Sequence, residues 1–279
     1  MIFINVVEDW AGQGLAANLQ TRFLMELINA FIVLIDISGY TKFIRMHKVS
    51  LIHAEGIISE LLESVIDASS HPLILNKLQG DAALFYAPSD GRRETAREIL
   101  RQIEGFFGAF AAREKKLIGE CSLCSCDACL KVGQLKLKAI AHHGEVAVKQ
   151  IKQFTEIAGE DVILAHRLLK NTVNKGEYIL LSKTLDELSG GINGRVPDHR
   201  REECEGVGVV DVVVYYPESD TGIDATAVRS ETSIWDKLRM ALKLEGLLVK
   251  RLVTKPARKF DGLARSQGAG GEGALNVQH

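Results

Sequence analysis

The stretch Phe31-Ile-Val-Leu-Ile-Asp36-Ile-Ser-Gly39-Tyr-Thr41 constrains the fold more than any other part of the chain. Its β-branched-rich run shows no alternation of apolar and polar residues, which suits a strand buried on both faces. The strand ends on an aspartate and breaks at Ser38-Gly39-Tyr40-Thr41. A helical pattern follows to about residue 69, with Ile52, Ile57, Leu61, Leu62, Val65 and Ile66 at three- and four-residue spacings. His71-Pro72 stops it.

The remaining elements read in sequence. Residues 73–78 and 82–86 are expected to be two strands joined at Gln79-Gly80-Asp81, a hairpin signal. Residues 94–117 return to helix, with Ile99, Ile103, Phe106, Phe107 and Phe110 on the inner side. Residues 134–142 alternate as a strand, 160–173 form a helix, and 178–181 and 207–216 are strands. The order strand, helix, hairpin, helix, strand is an α+β plan, the ferredoxin-like βαββαβ core, with a helix and strands appended.

Composition narrows the function classes. The chain has 279 residues, 46% of them hydrophobic, enough for a sizeable core. Its 34 Lys plus Arg and 36 Asp plus Glu leave a formal charge of −2, which excludes the basic profile of a protein whose surface tracks nucleic acid. Residues 1–7 are apolar, but Glu8 and Asp9 follow without a basic leader, so a signal peptide is not expected. The most apolar stretch, residues 23–35, contains Glu26 and Asn29 and is too short to span a bilayer, which needs about 20 apolar residues. The expected compartment is the cytoplasm, where thiols stay reduced.

Two aspartates carry the chemistry. Asp36 ends the buried strand, and Asp81 sits at the tip of a hairpin that would pair with it. Carboxylates at adjacent strand ends can converge on hard cations such as Mg²⁺ and leave coordination positions for substrate phosphates. The turn at Gly39-Tyr40-Thr41 leads into a helix N-terminus, whose free N–H groups favour phosphate. Lys77 lies on the same hairpin as Asp81.

These residues resemble the class III adenylate/guanylate cyclases. Residues 31–43 are similar to the family's first metal motif, Lys77-Leu-Gln-Gly-Asp81-Ala to its second, and His143-Gly-Glu145-Val to the strand end before its dimer arm. Gly159-Glu-Asp-Val-Ile-Leu-Ala-His-Arg167-Leu resembles the helix that carries the transition-state residues, and Gly176-Glu-Tyr-Ile-Leu-Leu-Ser182 the following strand. The resemblance covers residues 30–190 in the family's order, nearest to a bacterial branch that shares the His-Arg-Leu-Leu-Lys-Asn string.

The resemblance implies roles. Asp36 and Asp81, helped by the backbone carbonyl of Ile37, would hold two Mg²⁺ or Mn²⁺ ions; Gly39, Tyr40 and Thr41 would meet the phosphates. Lys77 and Glu156 fall on the purine-reading positions, and Arg167 on the arginine that neutralises the α-phosphate. The implied reaction converts ATP to cyclic AMP and pyrophosphate at a head-to-tail homodimer interface. One position departs from the family: Ile163 stands where an asparagine orients the ribose. Losing that contact weakens transition-state stabilisation by ~2–4 kcal/mol, a factor of about 10² to 10³. Asn171, one helical turn beyond Arg167, is a candidate substitute. The pattern fits a slow cyclase or a degenerate homologue that binds nucleotide or serves as a regulatory dimerisation module.

Simpler readings stand beside these. Singly, Asp36 reads as a helix cap and Asp81 as a turn aspartate, and only the whole pattern favours ligation. Glu156 reads equally as a surface charge at a strand end. His142 and His143 are adjacent on a strand, so they point to opposite faces and suit packing or surface roles better than a ligand pair. Cys121-x-x-Cys124-x-Cys126-x-x-Cys129 has the density of a structural Zn²⁺ site, favoured over an iron–sulfur cluster, with a metal-free redox-sensitive loop as the alternative. Cys204 is isolated and expected to be unliganded.

The expected organisation is an N-terminal extension (residues 1–29), a cyclase-like domain (30–217) with a cysteine-rich insertion (118–133), a linker with an amphipathic helix (218–260) and a disordered glycine-rich tail (261–279). Residues 231–260 hold eight basic and three acidic residues, so the small net charge hides a positive segment. Docking of that helix on the domain is favoured over peripheral contact with a membrane surface.

Overall fold

The apolar run forms the middle of a sheet. In the computed structural model, residues 25–40, 43, 48–121 and 124–217 are described. Strand β1 (Met25–Ser38) lies between β3 (Ala82–Pro88) and β4 (Lys136–Ile151) and is antiparallel to both. Phe31, Ile32, Val33, Leu34 and Ile35 have no exposed surface, as expected for a strand covered on two sides.

The odd residues of β1 face two helices, α1 (Lys48–Asp67) and α2 (Arg93–Glu120), which pack on each other. Phe85, opposite Val33 in register, stacks on Phe106 of α2 with ring centroids 5.7 Å apart. The even residues Ile32 and Leu34 join Leu84, Tyr86, Ile140 and Leu180 in a core cluster. That face is covered by Val162, Ala165 and Leu168 of α4 (Glu160–Leu168). Fully burying one such side chain contributes roughly 1.5–3 kcal/mol, so two covered faces account for the dominance of β1 in the core.

The full sheet has eight strands in the order β2-β3-β1-β4-β6-β8-β7, with β5 paired on β4. Here β2 is Ile74–Gln79, β5 Phe154–Ala158, β6 Tyr178–Ser182, β7 Asp198–Cys204 and β8 Gly208–Tyr215. The run β2-β3-β1-β4, with α1 and α2 as its helices, is the expected α+β ferredoxin-like βαββαβ core. Strand β6 runs parallel to β4, which requires the α4 crossover.

Several boundaries differ from the sequence expectations for physical reasons. Strand β4 continues to Ile151 where a stop near residue 142 was expected, because β1 itself reaches back to Met25; the pairs Ala30↔Gly144 and Met25↔Lys149 extend both strands together. The chain then turns at Lys152, with φ of 55°, and returns as β5. Helix α4 stops at Leu168, short of the expected residue 173, because the Asn171 amide donates to the Leu168 carbonyl at 2.7 Å and closes the helix end. Strand β5, the helix α5 (Lys183–Ser189), the edge strand β7 and a short helix within the cysteine insertion were not expected. The charged sequence Asp-His-Arg-Arg-Glu-Glu-Cys of β7 suits an edge that must not recruit another strand.

Among the described residues no helix is long and apolar enough to cross a membrane. Residues 1–24, and the expected basic helix and tail beyond residue 217, lie outside the described residues.

Gly144 marks a close approach. A Cβ there would collide with the Asp161 carboxylate. That carboxylate is pinned: Oδ2 accepts from the Glu145 N–H at 2.6 Å, and Oδ1 lies 2.9 Å from Nε2 of buried His142. The other ring nitrogen of His142 lies 2.8 Å from Ser182 Oγ, so the network ties β4, α4 and β6 together. Gly144→Ala is therefore expected to cost about 2–3 kcal/mol, read as a lower urea midpoint. An unchanged midpoint would show that Asp161 moves aside freely.

Candidate functional site

Register brings the two aspartates together. Asp36 lies opposite Ala82 at the end of the β1–β3 ladder, and the Ile37 N–H donates to the Asp81 carbonyl at 3.2 Å. Burial, and then the nearby Asp36 charge, push the Asp81 carboxyl up from its ordinary 3.8 to about 6. A half-buried carboxyl beside a second carboxylate forms a hard oxygen donor set short of positive charge, which suits a divalent cation.

Lys138 supplies part of that charge. It sits directly across from Asp36 on β4, and its Nζ reaches Asp36 Oδ2 at 2.8 Å. Sequence reasoning missed it, because only the β1–β4 register brings Lys138 to the aspartate. The signal available was a pair of lysines, Lys136 and Lys138, alternating with buried apolar residues at the start of the strand.

The turn after β1 is built as expected up to Tyr40. Gly39 has φ of 94°, a conformation that favours glycine, and its carbonyl accepts from the buried Phe43 N–H at 3.0 Å. Tyr40 donates through its hydroxyl to Glu55 of α1 at 3.2 Å, and burial followed by the Glu55 charge pushes its pKa up. Thr41 lies outside the described residues.

Lys77 and Glu156, both expected to read a purine, face each other as an ion pair of 3.0 Å. Lys77 is opposite Leu84, which is opposite Leu34, so it shares the α4 side of the sheet with Asp36. The Asn76 amide donates to the Thr155 carbonyl at 2.9 Å and holds β2 against β5. With about a third of each side chain exposed (31% and 34%), the pair contributes little to stability and is open to exchange for a ligand. His166 of α4 adjoins this group: burial, then the Lys77 charge, push its pKa down.

Arg167, on the same helix as His166, donates to Glu205 at 2.9 Å and is partly exposed. Ile163, one turn earlier, is 53% exposed, an apolar side chain presented to solvent. Asn171 does not stand in for the missing asparagine. Its Nδ2 donates to the Leu168 carbonyl and to the Tyr178 hydroxyl, both at 2.7 Å, and its Oδ1 accepts from the Val173 N–H. Its amide is occupied by the fold.

The cysteine insertion gathers differently from its spacing. Nδ1 of His53, on α1, lies 3.3, 3.4 and 3.7 Å from the sulfurs of Cys126, Cys124 and Cys129. These four ligand atoms all lie within 4.8 Å of one another. Buried Cys121 stands beside this group, its thiol in a hydrogen bond with that of Cys129 and not in a disulfide. Burial pushes the Cys124 thiol up to about 12, and the Cys121 hydrogen bond together with burial also pushes Cys129 up. His53 was missed because it stands 71 residues before Cys124, beyond any spacing rule. Cys204 is buried in the core cluster formed with α4.

Residues 58–178 match the model of a protein family described as of unknown function, DUF2652. The chain is 34% identical over 151 residues to the uncharacterized protein Rv2561/Rv2562 of Mycobacterium tuberculosis, covering 54% of this chain and 69% of that one. Among solved structures it resembles the adenylyl cyclase CyaB from P. aeruginosa, with TM-score 0.56 and 14% identity over 71% of this chain and 98% of that one. It also resembles the guanylyl cyclase Cya2, with TM-score 0.51 and 16% identity over 70% and 96%. At these identities the likeness shows the fold: the domain is a mixed α+β domain with the fold of these cyclase domains.

Proposed function

The chain belongs to the family of the uncharacterized Mycobacterium tuberculosis protein Rv2561/Rv2562, and we propose that it is a metal-dependent purine nucleotide cyclase acting on ATP as a homodimer. The observation that carries this reading is the convergence of Asp36 and Asp81 at one end of the sheet, with the Lys77–Glu156 pair on the same face.

In this reading Asp36 and Asp81, with the Ile37 carbonyl, would hold two Mg²⁺ or Mn²⁺ ions. Bound there, such ions would neutralise the triphosphate and make the ribose 3′-hydroxyl a better nucleophile. The Gly39–Tyr40 turn orients phosphate oxygens through backbone N–H groups. Lys77 donates to a ring nitrogen of adenine and Glu156 accepts from its exocyclic amine, each leaving the other to do so. Arg167 exchanges the exposed Glu205 for the α-phosphate. The 3′-hydroxyl would give its proton to solvent and its oxygen would bond to the α-phosphorus as the bond to pyrophosphate breaks.

A turnover experiment with the full chain tests this: ATP and GTP, each with Mg²⁺ and Mn²⁺, scored for cyclic nucleotide and pyrophosphate. Cyclic AMP and pyrophosphate in equal amounts are expected. A folded dimer that yields no product with any metal overturns the enzymatic reading.

The second reading is a nucleotide-binding or regulatory module without turnover, and exposed Ile163 favours it, since nothing polar stands at that position. Ile163→Asn separates the two. It sits on an exposed helix face, so stability should hold, and cyclisation should rise by about 10-fold or more. No gain, with ATP still bound, would favour the binding module.

A further inference from the structure

We propose that His53, Cys124, Cys126 and Cys129 form a tetrahedral Zn²⁺ site, with Cys121 outside the ligand set. The argument is geometric. A tetrahedral ion with Zn–S of about 2.3 Å and Zn–N of about 2.0–2.1 Å requires N···S separations of about 3.5–3.6 Å between its ligands. Those from His53 Nδ1 to the three sulfurs are 3.3, 3.4 and 3.7 Å. All four atoms fit within 4.8 Å of one another. Three soft thiolates and one imidazole suit Zn²⁺ and do not suit the Mg²⁺ or Mn²⁺ of an oxygen site.

The ligands come from two parts of the chain, and this gives the site its consequence. His53 belongs to α1, whereas the thiols belong to the insertion that includes the short helix α3 (Asp127–Leu130), against which α1 packs. An ion there staples the insertion to α1. Two residues after His53, Glu55 holds the Tyr40 hydroxyl. Just beyond the insertion, Gln134 O and Leu135 Cδ2 would lie 3.6 and 3.9 Å from a Cβ placed on Gly39, so the chain leaving the insertion packs against that turn. The metal therefore braces the turn after β1 from two sides, whatever that turn binds.

Purified full-length protein should carry one Zn²⁺ per chain. Competition with a chromophoric chelator should show His53→Ala weakening Zn²⁺ by about 10²-fold or more, with Cys121→Ser within a few-fold of the parent. Because His53→Ala also removes a helix side chain, the unsubstituted protein loaded with Co²⁺ supplies an independent readout. Its thiolate-to-metal charge-transfer absorption should correspond to three Co–S bonds, and His53→Cys should raise it to four. A four-thiolate spectrum in the parent, loss of metal in Cys121→Ser with retention in His53→Ala, or no Zn²⁺ uptake would each overturn the assignment. Pyrophosphate release plays no part in these readouts, so the site stands or falls independently of the cyclase reading.

Discussion

Under the cyclase reading proposed above, Asp81→Asn is expected to lower metal-dependent turnover by about 10³-fold or more, and it should raise the thermal midpoint of the metal-free protein. Both effects follow from one electrostatic arrangement. Burial, and then repulsion from the Asp36 charge, push the Asp81 carboxyl up to about 6. A carboxyl whose folded pKa is raised contributes stability at low pH that is lost as pH rises through about 6. At pH 8 the charged pair is therefore a burden on the metal-free fold, and asparagine relieves it with nearly the same shape. The same substitution removes half of the hard donor set, and metal-assisted phosphoryl chemistry depends on that charge for several kcal/mol. Lys138 stays paired with Asp36 in the variant, so the fold at the strand end should survive. Paired measurements decide it: thermal melts without metal at pH 8, and pyrophosphate release with Mn²⁺. A variant that melts higher yet keeps parental turnover would remove Asp81 from the metal role, and one that melts lower would refute the repulsion.

What the sequence disclosed, and what it hid, divides along the range of the interactions. The Phe31–Ile37 run, the Gln79-Gly80-Asp81 tip and the apolar spacing of α2 are local signals, and they place β1, the β2–β3 hairpin and α2 within a few residues of where they lie. The extension of β4 past Gly144 was hidden because glycine reads locally as a terminator; the pairs with residues 25–30 of β1 overrule it. Strand β7 was hidden because its run of charged residues looks like a loop until β8 pairs with it. The candidate sites follow the same rule. Asp36 and Asp81 were legible as ends of local elements, whereas Lys138 and His53 are brought in by strand register and helix packing, over distances that no motif spans. Asn171 shows the converse error, in which a residue plausible by position is already engaged by neighbours that the sequence does not reveal.

Glu114→Gln is expected to remove a pH dependence that the parent shows between about pH 5 and 8. Glu114 lies on α2, 2% exposed, and its Oε1 is without a hydrogen-bond partner among the described residues; Lys136 Nζ stands 3.6 Å away, too far to bond well. Burial outweighs the attraction of Lys136, and Glu177 adds repulsion, so the carboxyl rises from its ordinary 4.5 to about 7. The folded state thus holds a proton that the unfolded chain releases near 4.5. Stability from this group is complete below about 4.5 and is lost as pH rises through about 7. The difference amounts to ~3 kcal/mol. Glu177, itself pushed up by burial, changes in the same direction, so the variant should still decline slightly. Urea midpoints at pH 5.5 and 8 compare the two proteins. The parent should lose stability at pH 8 and Glu114→Gln should lose far less, overtaking the parent there because an amide carries no buried charge. If the variant declines as steeply as the parent, Glu114 is ionised in the folded protein throughout this range, and Lys136, rather than burial, sets its state.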